Sequence, residues 1–186
     1  MDTFLPPIEN PEDPKMKQVY EMTRQQWGKV LTPAKVFIAR MPPEFGEFAF
    51  KMGQLYQKLT LPPETALLIS HRVAGINICS FCIDMGRAVT IKSSMNEAKF
   101  DALEQYRTSP LFTDAERAAL DYVTELTKNK TVSPETFARL ASHYSDREIC
   151  EIVWLVASEH FANMTNIGLN IHSDMLCDIS KKNKSQ

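Results

Sequence analysis

Two cysteines three positions apart, Cys79 and Cys82 in Cys79-Ser80-Phe81-Cys82, are the side chains of this sequence best suited to chemistry. On a helix, residues i and i+3 share a face, so the two sulfurs can approach closely enough to bridge. If Cys79 begins a helix, the free amides at that end stabilise its thiolate and lower its pKa. A thiolate of this kind attacks a peroxide or a disulfide. Its neighbour then resolves the sulfenic acid or mixed disulfide into an internal disulfide. Gly75 and Asn77 are poor helix formers and mark a turn of the chain just before the pair. Two blander assignments compete. A CxxC can sit in a core as a pair of small hydrophobes. It can also be half of a structural zinc site, for which the sequence offers no second CxxC and no HxxxH. Cys150 and Cys177 stand alone and are read as core or surface residues.

The elements that must position this pair are helices. Ser94-Met-Asn-Glu97, Thr113-Asp-Ala-Glu116 and Ser145-Asp-Arg-Glu148 fit the capping box, in which hydroxyl and glutamate satisfy free amides reciprocally. Ser133-Pro134 adds a cap followed by proline at the first helical position. No alternating, strand-like run competes. The pattern predicts helices from about Met16 to Lys29, Glu44 to Leu59, Pro63 into the turn at Gly75 and Asn77, and Cys79 to Lys92. Others follow from Glu97 to Tyr106, Asp114 to Lys128, Pro134 to His143 and Asp146 to Ile167. The expected organisation is an extended N-terminal arm over 1–15, a single all-α domain over 16–178 and a polar C-terminal tail over 179–186.

Length and composition set the outer limits. A chain of 186 residues, 44% hydrophobic and 24% charged, can build one globular core. Its 21 basic and 23 acidic side chains give a net charge of −2, without the clustered basic face that nucleic-acid binding uses. No segment has the roughly 18 to 20 apolar residues needed to span a bilayer. The first fifteen residues carry acids and prolines instead of a secretory signal. Four cysteines, two of them isolated, do not form an extracellular disulfide framework. A cytoplasmic protein without membrane or nucleic-acid partners is expected.

The stretch Leu61-Pro-Pro-Glu-Thr-Ala-Leu-Leu-Ile-Ser-His-Arg-Val-Ala-Gly-Ile-Asn-Ile-Cys-Ser-Phe-Cys82 resembles the core of AhpD-like proteins of the carboxymuconolactone decarboxylase superfamily. Those have a helix, an asparagine-containing approach and a Cys-x-aromatic-Cys. The segments near Asp114-Ala-Glu116, Leu126-Thr127 and Ser145-Asp-Arg-Glu-Ile149 are also similar, so the resemblance covers most of residues 30 to 170. It implies an all-helical fold assembled as a homo-oligomer, and peroxidase or disulfide-reductase chemistry where the thiol pair is kept. No cofactor and no metal are expected. Two departures stand out. The redox branch places a histidine four residues after the second cysteine, here Gly86, and a glutamate twelve before the first, here Leu67. Those groups form the family's proton relay.

A displaced relay is the alternative. Glu64 and His71 share the helical face of Leu67 within about 60°. His71 is the candidate general base, because a neutral imidazole near pH 7 can take a thiol proton. Glu64 is read as first-turn helix stabilisation, Asp84 and Arg87 as salt-bridge formers, and His160 as a core or interface residue. Three functions follow. The first is a thiol-dependent alkylhydroperoxidase or disulfide reductase. It would take a hydroperoxide or disulfide substrate, with electrons from a thiol reductant or redox partner protein. Cys82 would attack and Cys79 resolve, as the resemblance implies. The second is a non-catalytic or differently specific binding module. The third is a lactone decarboxylase-type acid/base enzyme using His71 with Arg72 or Arg87.

Overall fold

Proline and capped hydroxyls start most of the helices. The computed structural model describes residues 2–184, and among them there are helices and no strands. The helices are α1 (Pro14–Trp27), α2 (Thr32–Val36), α3 (Pro43–Tyr56), α4 (Pro63–Ile76), α5 (Ser80–Lys92), α6 (Glu97–Asp101), α7 (Asp114–Asn129), α8 (Pro134–Ala141), α9 (Asp146–Gly168) and α10 (Leu176–Lys184). The all-α expectation holds. Among the described residues no helix is long and apolar enough to cross a membrane.

The capping boxes at Thr113/Glu116 and Ser145/Glu148 form as expected, and Ser133 accepts from the Thr136 amide. The box expected at Ser94 does not form. Ser94 takes a left-handed φ of 52° and closes α5. Its amide bonds Ile91 O, and that of Met95 bonds Thr90 O, the paired bonds of a Schellman ending. Asn96 then caps α6 by accepting from Lys99 N. Ser94 is therefore already committed to the preceding helix.

Two of the apolar clusters bear on the thiol pair. In one, Ile69 and Val73 of α4 meet Ala119 and Val123 of α7 and Ile152, Leu155 and Val156 of α9. In the other, Cys79, Phe81, Cys82 and Ala88 pack with Trp27, Val36, Ala74, Ile171 and Leu176. The thiol pair thus lies where α4, α5 and the C-terminal segment converge. That segment is tied down by two carboxylates. Asp84 on α5 accepts from the amides of Leu176 and Cys177 at 2.8 and 2.9 Å, capping α10 from outside. Asp174, itself buried, accepts from Thr32 N at 2.8 Å, Thr32 Oγ1 at 2.7 Å and Lys29 Nζ at 2.8 Å. Helix α10 runs to Lys184, through most of the stretch expected as a polar tail, and buries Ser180. The residues before α1 lie along their own chain: Phe4 N bonds Leu169 O, and Ile8 N bonds Lys35 O.

Candidate active site

Helix α4 ends in a second Schellman motif, with Ile78 N bonded to Gly75 O and Cys79 N to Ala74 O. The left-handed position belongs to Ile78, at φ 57°. A β-branched residue there is strained, since its Cβ crowds the neighbouring carbonyl. Its side chain is 81% exposed and gains little packing in return. Ile78→Asn should therefore raise unfolding stability by about 1 kcal/mol, read as a higher urea midpoint with unchanged m-value. A lower midpoint would mean that the isoleucine makes contacts in solution that outweigh the strain.

The motif delivers Cys79 as the N-cap of α5, its sulfur accepting from the Cys82 amide at 3.4 Å. Both thiols are free and buried. The Cys82 thiol and its backbone N–H together hold the Cys79 pKa below the ordinary thiol value against the opposing effect of burial. Cys82 is pushed the other way by its hydrogen bond to Cys79, by burial and by the Glu159 charge. The two sulfurs are thus close enough for a proton held by one to stabilise a thiolate on the other.

Helix α9 lines the opposite wall with Glu159, Asn163 and Asn166, at i, i+4 and i+7 on one face. Asn166 Nδ2 donates to Cys82 Sγ at 3.4 Å. The Cys82 thiol favours the ionised form of Glu159, and Asn163 Nδ2 donates to Glu159 Oε1 at 2.6 Å. Glu159 keeps a partly exposed edge, but its carboxyl is packed deeply enough for desolvation to raise its pKa to about 7. Asn163 is fully buried, and its Oδ1 accepts from Asn77 Nδ2 at 2.8 Å. The same Asn77 amide reaches His160 Nδ1 at 3.1 Å, and burial lowers the His160 pKa. From α3, the Tyr56 hydroxyl sits 3.3 Å from Ser158 Oγ, and burial raises its pKa.

His71 stands elsewhere. It is buried on α4 and packs edge-on to Phe100, with ring centroids 5.6 Å apart. Its imidazole fills the space a side chain on residue 86 would need: a Cβ at Gly86 would lie 2.2 Å from His71 Nδ1. That nitrogen has no hydrogen-bond partner among the described residues. Burial and the Arg87 charge depress its pKa to about 4. The structure therefore brings Cys79 and Cys82 together and sets His71 behind Gly86, while Asn166 and Glu159 are the α9 groups that act on Cys82 and Asn163 holds Glu159. Glu64 binds Lys99 at 2.8 Å. Arg87 pairs with Asp101. Arg72 is held by Glu104 at 2.8 Å and Thr124 at 3.0 Å. Among the described residues no group of three metal-ligating side chains converges. The missed residues did leave a trace in the sequence, a helically spaced polar line on the apolar segment after Ile149.

Residues 43–125 match the carboxymuconolactone decarboxylase family. The chain is 30% identical over 161 residues to YnjA of Escherichia coli (strain K12), an uncharacterised protein, covering 86% of this chain and 88% of YnjA. A solved Agrobacterium tumefaciens protein of unknown function, named as a candidate AhpD antioxidant defence protein, is 26% identical. The match has a TM-score of 0.68 and covers 74% of this chain and 96% of that one. The debrominase Bmp8, solved as a cysteine-to-alanine variant with 2,3,4-tribromopyrrole, shares the fold at a TM-score of 0.82, with 19% identity and 98% of both chains covered.

Proposed function

The chain belongs to the AhpD-like, carboxymuconolactone decarboxylase superfamily, and from that premise we propose that it is a thiol-dependent alkylhydroperoxidase or disulfide reductase. The observation that supports this is the meeting of two free thiols at the first turn of α5, one of them capping it. Cys82, 9% exposed against 1% for Cys79, is the attacking sulfur and Cys79 the resolving one. The Cys82 thiolate attacks the distal oxygen of a hydroperoxide. An S–O bond forms as the O–O bond breaks, giving a sulfenic acid and an alkoxide that leaves as the alcohol after gaining one proton. The Cys79 thiol then displaces water from the sulfenic acid and closes the disulfide. A thiol reductant or redox partner protein returns two electrons and two protons. A disulfide substrate enters the same cycle through a mixed disulfide.

The acid/base alternative needs Arg72 or Arg87 free beside His71, and both guanidinium groups are already engaged. Assembly into a homo-oligomer belongs to the same proposal. Phe48, Phe50 and Leu55 on α3 and Val153, Phe161, Met164 and Ile167 on α9 are exposed apolar side chains of the kind that subunits cover.

The test is consumption of cumene hydroperoxide with dithiothreitol as reductant. Cys79→Ser and Cys82→Ser should each reduce turnover at least about a hundredfold, as expected when one member of a joint nucleophile is lost. Unchanged turnover in both variants would overturn the thiol mechanism. No turnover in the wild type would favour a binding role for the same fold. A fall in His71→Ala with both thiols intact would assign the general base to His71.

A further inference from the structure

Residues 67 and 86, where the family resemblance implies a proton relay, are leucine and glycine, so the Cys82 proton needs another destination. We infer that Glu159 accepts the proton of Cys82 and returns it to the departing alkoxide, a proton relay supplied from α9 in place of one on α4 and α5. This rests on the thiol mechanism proposed above. The geometry supports it in three ways. Glu159 lies on the same face of α9 as Asn166, whose amide touches the Cys82 sulfur. Asn163 holds Glu159 Oε1 at 2.6 Å and is itself fixed by Asn77 at 2.8 Å, so the carboxylate is oriented from behind. Asn166 donates to Cys82 Sγ at 3.4 Å from the same face of α9, which holds the sulfur against that helix.

The titratable groups close enough to feel the Glu159 charge are Cys79 and Cys82 on α5 and Tyr56 on α3, with His160 beside it on α9 bonded to Asn77. Tyr56 is shifted upward and His160 downward, so both are uncharged at neutral pH. Desolvation brings Glu159 itself to about 7, the range in which a base is both ionised and basic enough to act.

Proton and electron transfer balance. The carboxylate takes the thiol proton, giving thiolate and carboxylic acid. Attack on the hydroperoxide yields the sulfenic acid and an alkoxide, and the carboxylic acid protonates the alkoxide and becomes a carboxylate again. Glu159 finishes unchanged, and both electrons come from sulfur.

Peptide-resolved alkylation of Cys82 by iodoacetamide against pH reads this without peroxide turnover. In the wild type the rate should rise through an inflection near pH 7. Glu159→Gln should lose that inflection and react at least about tenfold more slowly at pH 7.5, a conservative share of what a positioned base contributes. The sign is decisive, because a carboxylate acting only through its charge raises the Cys82 pKa. Its removal would then speed alkylation, and an equal or faster rate overturns the inference. Glutamine should fold well. A carboxyl whose pKa is raised on folding costs stability above its unfolded value of 4.5, so the neutral variant is more stable at pH 7 and equally stable in acid. A second measurement needs no change at position 159. Carbon NMR of the Glu159 carboxyl should titrate near pH 7 and move upward in Cys82→Ala, which lacks the donor. Titration at the ordinary carboxylate pH in the wild type also overturns the inference. If peroxide turnover is absent but the inflection persists, the peroxidase assignment fails and the proton pairing stands. Turnover without the inflection gives the reverse.

Discussion

Alanine at position 86 should destabilise the protein by about 2 kcal/mol, although alanine is ordinarily the better helix former by about 1 kcal/mol. The new Cβ would lie 2.2 Å from His71 Nδ1 and 2.9 Å from its Cε1. The ring has little freedom to yield, since it is buried and held edge-on against Phe100. Overpacking of this kind typically costs about 1 to 3 kcal/mol, and so close a contact belongs at the upper end, which leaves the stated net loss. The cause is tested by a double-mutant cycle in urea. In a His71→Ala background the obstruction is gone, and Gly86→Ala should become neutral or stabilising, a coupling of about 2 to 3 kcal/mol. An equal cost in both backgrounds would show that something other than the imidazole excludes the methyl group.

Lys99→Met should cost about 3 kcal/mol. The ammonium is buried between Glu116 Oε1 at 2.7 Å and Glu64 Oε1 at 2.8 Å. Methionine keeps the packing of the stem but leaves a buried carboxylate uncompensated. Breaking such a pair generally costs about 3 to 5 kcal/mol. The lower end applies because Glu116 retains its capping bonds from Thr113 N at 2.9 Å and Thr113 Oγ1 at 3.1 Å. Adding Glu116→Gln to Lys99→Met should recover much of the loss. The pH dependence has a definite sign. Lys99 holds the Glu64 pKa below 4.5, so this stabilisation is present above pH 4.5 and fades as pH falls through the folded value. The gap between wild type and Lys99→Met in urea midpoint should narrow accordingly in acid. A gap that widens there would contradict the ion-pair account.

What could be read from the sequence follows the range of the interactions. The starts of α7, α8 and α9 are set by residues three apart in the chain, and spacing alone locates them. Helices α2 and α10 carry no such signal. Leu31 gives α2 no side-chain cap, and the carboxylate serving Thr32 comes from Asp174. The α10 amides are capped by Asp84, 92 residues upstream. The site divides in the same way. Cys79 and Cys82 are one local motif and are visible as such. Glu159 meets Cys82 only after α9 packs on α4 and α5, and a lone glutamate beside His160 gives no direction. The polar spacing of Glu159, Asn163 and Asn166 was the available clue. His71 stood out by type and helical face, yet its environment, under a glycine and against an aromatic ring, depends on tertiary packing.

The interlock of Gly86 and His71 also imposes an order on how such a site can be rewritten one residue at a time. A chain with an imidazole on residue 86 can reach the present arrangement by first losing that side chain and then filling the vacancy from residue 71. The opposite journey must empty position 71 before position 86 can grow, because the two side chains claim the same volume. Every single-step path therefore passes through a chain with small residues at both positions, carrying a cavity whose cost rises with its volume. The two arrangements are separated by a stability valley, and crossing it requires a protein with enough reserve elsewhere to carry the hole.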